Sequence, residues 1–332
     1  MTAIRKPWFD YLKAFAIYLV VIGHIINNCM DKGTESKICG IIYFIHIPLF
    51  LIISGILTRD KTVRDIKFWE NILYRFIIPY ITWAIILTTF YLGSKIFYNN
   101  ITQTLHIYLN SLFQFLWFIK VYVIIYLLWQ VLKKFTPPIR LIAGSIILII
   151  FNLLFLRNES ISETCSLSLY SYTLYGTGVI LKHYVPQIKK KYSIIFLLIF
   201  ICCLPFATAT NNYFNSSFYS MFQLHTWHIF IIRYIAGVCI SLYLISLKPE
   251  INIPQKTMQL IGQRSLQIYM FQSLFVEAIL NRFIFCSNSI RNLILLIFLA
   301  AIITYFSSQI ISLTSHLRIC EFLLWGQNKN KR

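Results

Sequence analysis

Residues 8–24 read WFDYLKAFAIYLVVIGH, and the reading of this stretch decides the fold. Continued to Cys29, it is long enough to cross the hydrocarbon core of a bilayer as a helix, which takes roughly 20 apolar residues. It carries Lys13 near one end and His24 near the other. At about 100° and ~1.5 Å per residue, the two positions lie about 20° apart around the helix and about 16 Å apart along it. Both side chains share one face at different depths. Ionisable groups within a span cost about 2.5–3.5 kcal/mol or more and face a bundle interior or a wet cavity, so the pair marks a site.

The rest of the chain has the same character. Of 332 residues, 58% are hydrophobic, 17% aromatic and only 12% charged, which excludes a soluble domain of this length and makes the lipid bilayer the first partner. Long apolar runs separated by polar breaks predict an all-α polytopic bundle of ten membrane helices, at about 8–29, 40–58, 74–96, 111–132, 141–156, 165–181, 193–210, 226–247, 265–284 and 292–313. The sixth is the shortest in its apolar core and contains Gly176 and Gly178. No small-residue cleavage pattern follows the first run, so it reads as a signal anchor rather than a removable signal peptide.

A formal net charge of +19 raises the question of nucleic acid, and the placement of the cations answers it. With the N-terminus inside, twenty of the thirty Lys and Arg residues fall on cytoplasmic loops and termini and five on outer loops (Lys32, Lys37, Arg157, Arg282 and Arg291). That is the positive-inside bias of a multi-pass protein of the inner membrane, with both termini cytoplasmic and no nucleic-acid partner.

Five basic residues remain within spans: Lys13, Arg75, Lys95, Lys120 and Arg233. Lys95 sits near a helix end, where its stem can reach the interface. His24, His46, Lys120, Arg233 and Glu277 come from five different spans at similar depth in the outer half, which predicts a central polar chamber. On the cytoplasmic side, Lys13, Arg75 and the loop TRDKTVRDIK (58–67) surround the expected inner mouth and suit a polyanionic ligand. Glu277 has two readings: it orients His24 or His46, or it neutralises Arg233 or Lys120.

These residues resemble acyltransferase family 3, multi-span bacterial enzymes that transfer acetyl and similar groups to carbohydrates. The match begins with Lys13, ten residues and His24, with lysine where the family usually has arginine. FIHIPLFLIISGIL resembles the family's phenylalanine-rich SG motif through Phe50, Ser54 and Gly55, after His46 and Pro48. NILYRFIIPYITW places Arg75 and Pro79 at the entry to the third span. LWFIK, with Trp117 and Phe118, and IGQRSLQIYMFQ, with Gly262, Ser265 and Tyr269, resemble later segments.

The resemblance covers nearly the whole chain. It implies a single transmembrane domain over 1–332, with 315–332 as a cytoplasmic interfacial tail. It further implies a membrane O-acyltransferase taking an acyl group, acetyl first among them, from acyl-CoA to a hydroxyl of a cell-surface or exported polysaccharide, with no permanently bound cofactor. His24 is then the catalytic residue, because an imidazole can take an alcohol proton or carry an acyl group near neutral pH. Direct transfer and an acyl-enzyme relay both remain open. Lys13 and Arg75 hold the donor, while His46, Ser54, Trp117, Lys120, Arg233 and Glu277 are candidates for the substrate chamber. Ser54 with Gly55 is equally readable as a helix-packing pair.

The alternative function is a polysaccharide exporter or flippase without acyl chemistry, whose intramembrane cations bind a sugar-linked phosphate. A purely structural or sensory role is disfavoured by the Lys13–His24 spacing. No metal site is expected, since His46, His225 and His228 lack accompanying Cys or carboxylate ligands at suitable spacing. Of eight cysteines, Cys29 and Cys39 fall on the outer side, where an oxidising compartment permits a bridge.

Overall fold

A bilayer interior offers no water to unpaired N–H and C=O groups, so a chain this apolar has to close its backbone hydrogen bonds within each segment. In a computed structural model describing residues 7–29, 35–92, 116–155, 159–187, 190–208, 227–247, 256–276 and 289–326, all regular structure is helical. The α-helices are α1 (Pro7–Cys29), α2 (Glu35–Leu57), α3 (Ile66–Ile72), α4 (Ile78–Leu92), α5 (Trp117–Val131), α6 (Pro137–Leu154), α7 (Glu159–Leu181), α8 (Lys190–Thr208), α9 (Trp227–Ser246), α10 (Lys256–Gln263), α11 (Ser265–Ser273), α12 (Ile290–Thr314) and α13 (Arg318–Leu323).

Five segments among the described residues are long and apolar enough to cross a membrane: Pro7–Cys29, Ile38–Leu57, Ile66–Phe90, Pro137–Leu154 and Ile290–Thr314. Tyr192–Pro205 and Phe230–Ser246 are shorter apolar helices. The third segment starts at Ile66 rather than near residue 74, because the Asp65 carboxylate caps α3 by accepting from the Lys67 N–H at 3.0 Å. A π-helical turn at Leu73–Ile77 then joins α3 to α4 in one rod. The run expected at 265–284 starts at Ser265 with α11, and a short helix, α10, precedes it across a turn at Arg264. Lys95, His225 and Glu277 lie outside the described residues.

Burial separates inner helices from outer ones. Two thirds (67%) of the apolar windows of α1 and α2 are buried, against 22% for α6 and 39% for α12. The outer helices turn Ile142, Ile146, Phe298 and Phe306 outward, as lipid-facing surfaces require. Helix α1 packs on α2, α10, α11 and α12, so the Lys13–His24 face is surrounded by protein.

Between helices in lipid, close approach rather than hydrophobicity drives association, and small residues permit it. Gly55 of α2 and Gly178 of α7 make such a crossing: a Cβ on Gly55 would overlap the Tyr175 carbonyl oxygen, and one on Gly178 the Ile52 carbonyl oxygen. Polar side chains lock α6 to α7, where Asn152 Nδ2 donates to Ser166 Oγ at 2.8 Å and Ser162 Oγ donates to Asn152 Oδ1 at 2.8 Å.

The turn at 58–65 after α2 is tied down from several sides. Thr58 Oγ1 and the Tyr175 hydroxyl are 2.6 Å apart, and Lys182 Nζ donates to the Thr58 carbonyl at 2.8 Å. Gln130 accepts from the Lys61 N–H at 2.8 Å and donates to the Arg59 carbonyl at 3.2 Å. Arg140 forms a bidentate pair with Asp60 at 2.7 and 3.1 Å, which holds the Asp60 carboxyl below the usual carboxylate range. Residues 318–326, in the expected interfacial tail, dock on α4 and α11. Trp325 is buried there, its indole donating to Thr314 Oγ1 at 3.0 Å, while Trp83 Nε1 donates to the Leu324 carbonyl.

Gly178→Ala is expected to destabilise the bundle by about 1–3 kcal/mol through overpacking, read as a lower melting temperature in detergent, because the opposing atoms are backbone and cannot rotate away. Gly23→Ala meets only the Ile42 side chain at 3.3 Å and should be milder. The Asp60–Arg140 pair has a pH signature as well. Its contribution is complete above the unfolded carboxyl pKa of about 4 and is lost as pH falls through the lower folded value, so wild-type melting temperature should drop below about pH 4 more steeply than that of Asp60→Asn.

Candidate functional site

Inside the bundle is a cavity of about 380 Å³ walled by α1, α2, α3, the π turn, α5 and α11, with the turn after α2 at its rim. The pattern of α1 explains one wall: Lys13, Ile17, Val20 and His24 recur at three- and four-residue intervals, and all four line the cavity. Helix α2 adds Tyr43, His46, Ile47, Phe50 and Ser54 at the same helical repeat. Ser54 and Gly55 therefore divide their tasks, the serine facing the cavity and the glycine facing α7.

The two ends differ in chemistry. At one end stand His24 and the buried His46, within electrostatic range of each other. His46 Nδ1 lies 2.7 Å from the Ile42 carbonyl, which can only accept, so Nδ1 carries the proton and the neutral ring keeps its lone pair at Nε2. The Tyr43 ring packs on His46 with centroids 4.9 Å apart. Asn28 donates to the His24 backbone carbonyl at 2.8 Å, one turn further along α1.

At the other end stand Lys13, Arg75, Arg59 and Lys61, with Asn71. Arg75 belongs to the π turn, a register shift frequent at functional positions, and its guanidinium lies 5.6 Å from the Phe76 ring centroid. It is also within electrostatic range of the Tyr122 and Tyr126 hydroxyls. Between the ends the wall is aromatic. Phe118, Tyr122 and Tyr126 of α5 follow one another at four-residue spacing with centroids 6.1 and 6.3 Å apart, and Phe68 stacks on Tyr126 at 6.0 Å. Ser54 and Tyr122 both line the cavity. Trp117 completes this wall, with Ser265 and Tyr269 opposite on α11. Gly262 brings that region against α1, since a Cβ there would overlap the Asp10 carbonyl oxygen.

Of the residues expected from sequence, Lys13, His24, His46, Ser54, Arg75 and Trp117 meet at this cavity. Lys120 and Arg233 do not line it. Lys120 instead lies within electrostatic range of Glu163 of α7, and Arg233 is buried with its guanidinium 5.9 Å from the Phe44 centroid and close to Tyr170. Glu277 is outside the described residues. Glu163 falls just outside the sixth span expected from sequence, which starts at residue 165, whereas α7 starts at Glu159. The tyrosines were missed although their i, i+4 stripe along WFIKVYVIIY was there to find. Cys29 and Cys39 are not joined in a disulfide, and the Cys39 thiol donates to the Gly23 carbonyl at 3.6 Å. Among the described residues no cluster of His, Cys, Asp and Glu could hold a metal ion.

Comparison with known proteins places this arrangement in a family. The chain is 28% identical over 229 residues to nodulation protein NolL of Mesorhizobium japonicum, covering 64% of this chain and 59% of that protein. It is 28% identical over 138 residues to nodulation protein NolL of Sinorhizobium fredii, covering 40% and 35% respectively. The chain thus spans less than two thirds of the length of these curated relatives. No solved structure matches it significantly. A family model described as an acyltransferase domain, by contrast, matches residues 6–313, including every residue that lines the cavity. The protein is a multi-pass membrane member of acyltransferase family 3.

Proposed function

We propose that this membrane acyltransferase moves an acyl group, acetyl in the simplest case, from acyl-CoA to a hydroxyl of a cell-surface or exported polysaccharide. It does so from the inner membrane, with ten crossings and both termini in the cytoplasm. The observation that carries this reading is that Lys13 and His24, about 16 Å apart along α1, line one cavity whose basic and imidazole ends are joined by an aromatic wall. A thioester donor has the same layout: phosphates at one end, a long flexible arm, and the reacting carbonyl at the other. The twenty-to-five bias of basic residues toward one side supports the topology.

In this mechanism Lys13 and Arg75 hold the donor phosphates through charge-assisted hydrogen bonds at the cytoplasmic mouth. The arm lies along Phe118, Tyr122 and Tyr126, with Ser54 and Trp117 beside it, and delivers the thioester carbonyl to His24. The acceptor hydroxyl gives its proton to the neutral His24 imidazole as its oxygen bonds to the carbonyl carbon. The carbon–sulfur bond then breaks, and the leaving thiolate takes the proton back from the imidazolium. His46, held as the Nδ1–H tautomer by Ile42, offers only a lone pair at Nε2 when neutral, so it accepts a hydrogen bond beside His24. Lys120 with Glu163, and Arg233 beside Tyr170 and Phe44, are assigned to packing.

His24→Ala, at unchanged expression, should lower transfer by about 10²–10⁴-fold, measured as ester groups on the surface polysaccharide, while the polysaccharide itself is still exported. Loss of export with esters intact would identify a transporter and reject the enzyme reading. Lys13→Ala should raise the donor KM with a smaller effect on kcat, and Lys13→Arg should retain most of the wild-type KM, since arginine keeps the charge and adds a planar fork for phosphate.

A further inference from the structure

The cavity mouth contains a carboxylate in an awkward place. Asp60 lies between Arg59 and Lys61, yet those two cations line the cavity and Asp60 does not. Left to swing beside them, it would neutralise the charges that a polyanion needs. Arg140 prevents this. Its guanidinium is buried, with a side chain only 6% exposed, and is fixed by Nε donating to the Phe135 carbonyl at 2.7 Å and Nη2 donating to the Lys133 carbonyl at 2.5 Å. It lies 5.7 Å from the Trp129 centroid, and its own carbonyl accepts from the Tyr172 hydroxyl at 2.7 Å. Those bonds already satisfy carbonyls of the turn between α5 and α6, so the additional fork to Asp60 is not needed for that purpose.

Gln130 completes the device from the next turn of α5. Its amide accepts from the Lys61 N–H and donates to the Arg59 carbonyl, so one fully buried side chain fixes the backbone of both cavity-lining cations. Two side chains of a rigid corner, Arg140 and Gln130, thus hold a single exposed turn in one orientation. An exposed ion pair on flexible supports would contribute little, but a planar fork with four donor contacts sets a direction as well as a distance.

We propose that Asp60, Arg140 and Gln130 are positioning residues: they draw the acidic member of the turn away from the cavity and present Arg59 and Lys61 as a preformed clamp for the phosphates of the acyl-CoA donor. This assignment rests on the donor reading of the cavity and adds to it the residues that organise the mouth. Preorganisation of this kind raises affinity by removing the ordering cost of two long side chains and their backbone. It should act on the phosphate-bearing part of the ligand and leave the pantetheine arm untouched.

The test compares binding of coenzyme A with that of pantetheine, which lacks the phosphates, to the full-length protein in lipid nanodiscs. Wild type should bind coenzyme A at least about tenfold more tightly than pantetheine. Arg59→Gln with Lys61→Gln should remove most of that preference. Asp60→Asn, which keeps the shape of the side chain, and Gln130→Ala, which leaves every charge in place, should each reduce the preference by about threefold or more with pantetheine affinity unchanged. A loss of packing alone would weaken both ligands together. If wild type discriminates and both Asp60→Asn and Gln130→Ala keep the full preference, the positioning role is overturned. If wild type binds neither ligand, or binds both alike, the donor reading falls and the clamp falls with it.

Discussion

An ammonium and an imidazole on the first helix cannot be left facing hydrocarbon, and the rest of the bundle is arranged around that constraint. Helix α1 carries Lys13 and His24 on one face and mostly apolar side chains on the others, and it packs against α2, α10 and α12. The exposed side chains of α6, α8 and α12 are mostly aliphatic and aromatic, so the outer helices bear the contact with lipid while α1 and α2 are enclosed. The polar face of α1 then has one environment available to it, the cavity it shares with α2, α5 and α11.

The small residues and the polar residues serve this arrangement in different ways. Gly55, Gly178 and Gly262 bring backbones close enough for α2, α7 and α10 to enclose the cavity, because van der Waals contact has to replace the hydrophobic effect between helices in lipid. Serine and asparagine pairs between α6 and α7 fix rotation where apolar packing alone would allow slippage. Ser54 shows how tightly the two roles adjoin, since it faces the cavity and Tyr122 while the next residue faces α7.

Charge is sorted by the same logic. Cations that line the cavity are gathered at its mouth, in Lys13, Arg59, Lys61 and Arg75. Among the described residues, Lys120 lies within electrostatic range of Glu163, and Arg233 lies by the Phe44 face and Tyr170. Lys13 and Lys120 look alike in the string of residues, but the structure sets the first on the cavity wall and the second within electrostatic range of Glu163.

Sequence alone determined that the chain is helical and membrane-bound, that Lys13 and His24 share a face, and that the chain resembles acyltransferase family 3, because apolar run length, helical periodicity and short motifs are local properties. It also pointed to His46, Ser54, Arg75 and Trp117 as neighbours of that face. The docking of Trp325 under α4, the π turn at Arg75, the nearness of Lys120 to Glu163 and the corner made by Asp60, Gln130 and Arg140 were decided by tertiary structure. Each joins segments whose relative rotation and depth depend on how whole helices pack, and depth counted from an assumed span boundary is wrong by a turn wherever a cap such as Asp65 or an extension such as that of α7 moves the boundary. Local pattern can say which side of a helix must be sheltered; only the packed bundle decides what shelters it.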